Sequence, residues 1–229
     1  MNRCGFWFQC FRKFRAVDFV LTNVRRHFPD SPILLASDGG LDFTALATTY
    51  KCDYTHYQEN IWGGGSDRPV HYDSYFSRLS RMFDYPVDWV VILEDDVYCR
   101  KSIEYWPSVE AAGPIGNEWS QNFKALVLQK NAGKPVSRFL RYGNCGGSIF
   151  KMEAMRDAYS RMTPELMAKA HAADERFGRW PDASITGTIQ LAGYAYEKWL
   201  EHSEESVGVF SPVGVGAFDH QHKVHYGKT

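Results

Sequence analysis

Three consecutive carboxylates, Glu94-Asp95-Asp96, follow directly on the strongest apolar run of the sequence, Trp89-Val90-Val91-Ile92-Leu93. An apolar strand that delivers carboxylates to one spot is costly unless something neutralises them. Side chains alternate along an extended segment, so Glu94 and Asp96 point the same way. Two hard oxygen ligands on one side, beside phosphate oxygens, suit Mg²⁺ or Mn²⁺. A solvated acidic turn is the plainer use of the same residues. Another carboxylate, Asp38, stands in Ser37-Asp38-Gly39-Gly40, where the glycines allow a tight turn and close approach by a ligand. It can accept hydrogen bonds from a base N–H or from ribose hydroxyls, or simply serve an Asp-Gly turn. Asp182 follows Trp180-Pro181 at a helix start, as a candidate proton acceptor or as a helix cap.

Further groups surround these. The run Trp62-Gly63-Gly64-Gly65-Ser66-Asp67-Arg68 offers glycine N–H groups and a guanidinium for phosphate oxygens. The tail from Phe218 to Tyr226 holds three of the eight histidines, His220 and His222 among them. A neutral imidazole is a good ligand for Mn²⁺ and a poorer one for Mg²⁺, and Asp219 is a candidate to orient it. Trp119, Tyr142, Trp180 and Trp199 are available as sugar platforms or as core.

The elements that must position these groups read as alternating strands and helices. An apolar run over 4–9 and the continuous run Ile33-Leu34-Leu35-Ala36 read as strands. Between them Val17, Val20, Leu21, Val24 and Phe28 share one helical face. A short helix over 42–50, a strand over 54–57, a helix over 71–84 and the strand 89–93 complete a pattern that predicts an α/β domain with a parallel sheet. Beyond it, 101–112 reads as helix, 124–129 as strand and Gly143–Phe150 as a turn entering a strand. Helices follow over 151–161, from Thr163-Pro164, and from Pro181 to Gly193. In open α/β sheets ligands bind beyond the carboxyl ends of the strands, where Asp38 and Glu94-Asp95-Asp96 fall.

This ordered set resembles the glycosyltransferases of the A-type (GT-A) fold, in particular the large inverting group of family-2 type. The shared features are a second strand ending in Asp38-Gly39-Gly40 and a later strand ending in Leu93-Glu94-Asp95-Asp96. A strand bearing Gly146-Gly147-Ser148-Ile149-Phe150 follows, then the helix opened by Asp182 and closed by Gly193-Tyr194. The resemblance spans roughly residues 4–200, and the compact size also resembles transferase domains of large algal viruses. It implies a Rossmann-like mixed sheet flanked by helices in a single domain over 1–229. Residues 1–97 would form the nucleotide-sugar half and 98–229 the acceptor half. It implies that Asp38 contacts the base or ribose, that Glu94 holds the ribose or reaches the metal through water, and that Asp95 lies near the donor sugar, with Arg68 on the phosphates. Asp96 would ligate Mn²⁺ or Mg²⁺, with a C-terminal histidine, His220 or His222, completing the site. Gly146, Gly147 and Trp180 would face the acceptor, and Asp182 would be the catalytic base. Glu94 departs from the commoner Asp, and Pro181 stands where a second acid is frequent.

The implied reaction moves a sugar from a nucleoside diphosphate, UDP foremost and GDP or dTDP next, to a hydroxyl of a glycan or glycoconjugate, with inversion. A sugar-1-phosphate nucleotidyltransferase would need a glycine-rich basic loop after the first strand, where Phe8-Gln9-Cys10-Phe11-Arg12-Lys13 has no glycine. A non-catalytic carbohydrate-binding domain would use the aromatics without Asp182. Composition bounds these readings. The 229 residues carry 26 Lys and Arg against 27 Asp and Glu, a formal net charge of -1, which argues against a general nucleic-acid or membrane-surface binder. The five cysteines lack metal spacing and read as free thiols of a reducing compartment. No apolar stretch reaches the ~20 residues of a membrane span, so the expected setting is cytoplasmic, or that of a soluble fragment cut from an anchor.

Overall fold

The computed structural model describes residues 2–61, 72–134, 136, 140–143, 146–204 and 216–220. The first half runs β1 (Cys4–Cys10), α1 (Phe14–His27), β2 (Ile33–Asp38), α2 (Thr44–Thr49), β3 (Asp53–Tyr57), α3 (Tyr72–Leu79), a 3-10 turn (Ser80–Asp84) and β4 (Trp89–Leu93). The second half runs β5 (Val97–Cys99), β6 (Ala111–Gly113), β7 (Ile115–Glu118), α4 (Gln121–Lys130), β8 (Arg141–Gly143), β9 (Ile149–Lys151), α5 (Met152–Ser160), α6 (Pro164–Ala173), α7 (Pro181–Leu191), β10 (Tyr196–Lys198), β11 (His202–Glu204) and β12 (Phe218–His220).

The main sheet has seven strands in the order β10-β6-β9-β4-β1-β2-β3. β4, β1, β2 and β3 are mutually parallel, as the alternating pattern predicts. β9 runs antiparallel to both β4 and β6, so the whole sheet is mixed. The central strands are apolar because both faces are covered. Trp7, Leu34, Ala36 and Ile92 face one core with α3, α5 and α7. Phe6, Phe8, Leu35 and Val91 face the other, under Val17, Val20, Leu21 and Val24 of α1. Full burial of such a side chain stabilises by about 1.5–3 kcal/mol, so this inner face of α1 fixes the helix on the sheet. Two small sheets, β11-β12-β5 and β7-β8, lie beside the main one.

Three local expectations change. Residues 124–129 lie in α4, not in a strand: Ser120 caps the helix by accepting from the Phe123 N–H, and a short apolar run does not by itself separate strand from helix. Residues 101–110 form no helix, and the chain there crosses Pro107 irregularly before β6. The helix expected to Asp84 tightens into the 3-10 turn after Leu79. Cys4, Cys10, Cys52 and Cys99 are free, and burial pushes the thiols up, Cys52 to about 11, so they are poor nucleophiles. No helix among the described residues is long and apolar enough to cross a membrane.

Candidate active site

β4 is buried along its whole length, and the acidic turn emerges from its carboxyl end. Asp96 is 2% exposed, whereas the Glu94 side chain keeps 39% of its surface. Asp95 turns to Lys13, whose ammonium lies 3.1 Å from its carboxylate. The third component arrives by strand pairing. β12 runs antiparallel to β5 with His220 opposite Val97, which sets the imidazole next to Asp96. His220 Nε2 is 3.2 Å from Asp96 Oδ1 and 3.8 Å from Glu94 Oε2. One ligand atom from each of Glu94, Asp96 and His220 lies within 4.8 Å of the other two. Two carboxylate oxygens and one imidazole nitrogen fit Mn²⁺ well and Mg²⁺ less well.

The glycines of the neighbouring turn make room for this cluster. A Cβ on Gly146 would lie 3.1 Å from the His220 ring, and one on Gly147, at φ +81°, would lie 2.7 Å from the His202 ring. His202 Nε2 is 2.8 Å from the Gly146 carbonyl oxygen, and the two imidazoles meet edge to face at 6.5 Å. In the structure Gly146 and Gly147 therefore seat histidines, a use their assignment to the acceptor does not anticipate. His202 itself carried no motif signal. Asp219 is engaged by Arg100. Its carboxylate, fully buried, accepts from the Arg100 guanidinium at 2.9 Å.

Asp182 comes from α7. Trp180 is the N-cap of α7 and Pro181 its first residue, so Asp182 sits in the first turn rather than at the cap. A carboxylate there is favoured by the helix dipole. It is near enough to act on Glu94. Although 39% of the Glu94 side chain stays exposed, desolvation within the crowded crevice first, then the charge of Asp182, push its carboxyl up to about 8, with Asp96 and Asp95 adding and His220 opposing. Four carboxylates thus converge beside His220 and Lys13, an arrangement that a bound divalent cation would relieve. Trp180, 38% exposed, tilts against Tyr142 at 6.1 Å and forms an aromatic ledge on the α7 side.

Asp38 has another set of partners than a ligand. It is 1% exposed, and its Oδ1 accepts from Arg78 at 2.6 Å and from the Ile61 N–H at 2.9 Å. Arg78 also donates to the Glu59 carbonyl and lies 4.0 Å over the Tyr57 ring. Through Oδ1, Asp38 thereby anchors the segment after β3. Gly39, at φ +68°, allows that segment to pass: a Cβ would lie 2.7 Å from the Asn60 nitrogen. Arg68 and His222 lie outside the described residues.

One polar group of the crevice escaped the motif reading. Gln9 is one step beyond the Phe8–Leu93 pair of β1 and β4 and pairs with Ala36 of β2. Its amide nitrogen and oxygen are both buried and have no hydrogen-bond partner among the described residues, and Asn60 Oδ1 is in the same condition. Unsatisfied buried amides are costly, on the order of 1–3 kcal/mol each, and point to an absent partner. The available signal was a single amide breaking an apolar strand at its carboxyl end.

No family model and no curated protein matches the chain. Solved structures do. The crystal structure of the galactosyltransferase LgtC in complex with donor and acceptor sugar analogs is 14% identical, with a TM-score of 0.51, over 94% of this chain and 86% of that one. An active-site mutant of LgtC matches with the same values. At this identity the likeness concerns the fold: the chain has the mixed α/β architecture of the GT-A glycosyltransferases.

Proposed function

We propose that this protein is a metal-dependent glycosyltransferase that moves a sugar from a nucleoside diphosphate to a hydroxyl of a glycan or glycoconjugate. The observation that carries the reading is the convergence of Glu94, Asp96 and His220 at the carboxyl end of β4, with Asp182 facing them from α7. LgtC, a galactosyltransferase of like fold whose structure holds donor and acceptor sugar analogs, supports the same reaction class.

Glu94, Asp96 and His220 would hold Mn²⁺, or Mg²⁺ with lower affinity. When bound, the cation offsets the charge that builds on the leaving diphosphate. Gln9, with its unpartnered carboxamide at the carboxyl end of β1, would bind the nucleoside part of the donor, UDP foremost and GDP or dTDP as alternatives. Asp38, through Arg78 and Ile61, would fix the β2–β3 wall of that half. On the α7 side the Trp180 ledge would stack on an apolar sugar face, and Asp182 would take the proton of the attacking hydroxyl. A single displacement assisted by one base inverts the anomeric centre.

Calorimetry with UDP, GDP and dTDP, each with and without Mn²⁺, tests donor binding, and NMR of the product reads the anomer. Absence of nucleotide binding sinks the proposal. Retention of configuration would remove Asp182 from the role of base.

A further inference from the structure

We infer that the outer face of α1 docks this protein on an anionic lipid bilayer. The overall charge balance conceals a local asymmetry: residues 11–28 contain five Lys and Arg, Arg12, Lys13, Arg15, Arg25 and Arg26, and a single acid, Asp18. The inner stripe of α1 is spent on the core. The outer stripe, Arg15, Phe19, Thr22 and Arg26, is spaced i, i+4, i+7, i+11, so these residues share the face away from the sheet.

Apolar side chains stand among these cations. Phe14 is 40% exposed, Phe19 39%, and Leu41, whose N–H bonds the Phe11 carbonyl, 44%. The two phenylalanines are held in place from beneath. Phe14 stacks on Phe43 at 6.0 Å and Phe19 on Tyr98 at 5.3 Å, so presenting them costs little ordering entropy on docking. Arg12, lying over the Phe11 ring at 4.4 Å, has no carboxylate partner among the described residues, and neither do Arg15 and Arg26. The acids nearby are committed elsewhere: Asp18 accepts from the Tyr50 hydroxyl, Asp42 from Thr44, and Asp95 from Lys13.

Arginines without carboxylate partners around rigidly held, half-exposed phenylalanines on a convex helix match an interfacial helix. The rings enter the headgroup boundary and the guanidinium groups meet lipid phosphates. Charge complementarity therefore selects an anionic bilayer, and a convex face offers no groove in which the bases of a nucleic acid could stack. The Phe14 end of the helix lies at the carboxyl ends of the strands, joined through Lys13 to the acidic turn. Docking would bring the crevice to the lipid surface. This inference stands independently of the transfer reaction.

The test is co-sedimentation of the full chain with vesicles of phosphatidylcholine alone and of phosphatidylcholine containing phosphatidylglycerol. Wild-type protein should bind the anionic vesicles only, and less so as salt rises. The double variant Arg15→Glu/Arg26→Glu should bind more than about fivefold weaker, the loss expected per arginine near an anionic surface. Phe14→Ser/Phe19→Ser should weaken binding with its charge unchanged, and an unaltered melting temperature confirms that each variant is folded. No binding to anionic vesicles, or equal binding by wild type and both variants, overturns the inference. So does capture by RNA without capture by vesicles.

Discussion

Glu94 and Asp182 are carboxyls close enough to feel each other's charge, and their roles separate by what lies around each. Asp182 stands at a helix N-terminus and has no metal ligand on its own element, which suits a proton acceptor. Asp182→Asn should lower turnover by about 10²–10⁴-fold and leave the dissociation constant for UDP with Mn²⁺ unchanged in calorimetry. Glu94 carries the pH dependence. Its carboxyl is pushed from an ordinary value of 4.5 up to about 8, so the folded protein binds this proton more tightly than the unfolded chain. Stability from this group is fully present below about 4.5 and is lost as pH rises through 8. Melting temperatures of the metal-free protein should fall across that window. Added Mn²⁺ should raise the melting temperature more at pH 8 than at pH 5, because the metal needs the carboxylate. Equal metal-induced shifts at both values would remove Glu94 from the ligand set.

At the scale of elements, the site depends on how β12 and the Gly146-Gly147 turn meet the end of β4. Gly147→Ala would need a left-handed backbone and would press a methyl group into the His202 ring. The expected cost is about 1–3 kcal/mol, with a melting temperature lower by several degrees and weaker Mn²⁺ binding by calorimetry. The Asp38–Arg78 pair is a second such joint. Arg78→Ala removes the charge partner of a buried carboxylate and should destabilise by about 3–5 kcal/mol in chemical denaturation. The alternation of strands and helices up to β4 was legible because each element shows its own period and the buried strands are continuous apolar runs. The Glu94, Asp96 and His220 cluster was legible in part, since strand ends can be read from apolar runs. Which histidine of the tail comes to the cluster is set by the pairing of His220 with Val97, a contact across 123 positions of sequence that no local pattern encodes. The same limit hid His202 and the pairing of Asp38 with Arg78, which lies on a later helix. Residues 124–129 misled for a local reason: an apolar run that short suits either a strand or a capped helix.

For the whole molecule, near-neutral charge is the sum of opposite regions. Carboxylates gather at the crevice, and arginines without carboxylate partners among the described residues gather at α1. A diphosphate can bind an acidic crevice only if a cation arrives with it, so donor binding and metal binding are coupled. The most direct measurement is calorimetric titration of UDP into the wild-type protein and Asp96→Asn, each with and without Mn²⁺. Wild type should bind tightly with Mn²⁺ and weakly or not at all without it, and Asp96→Asn should lose the metal effect. UDP binding that is indifferent to Mn²⁺, or that keeps its full Mn²⁺ dependence in Asp96→Asn, would contradict this coupling.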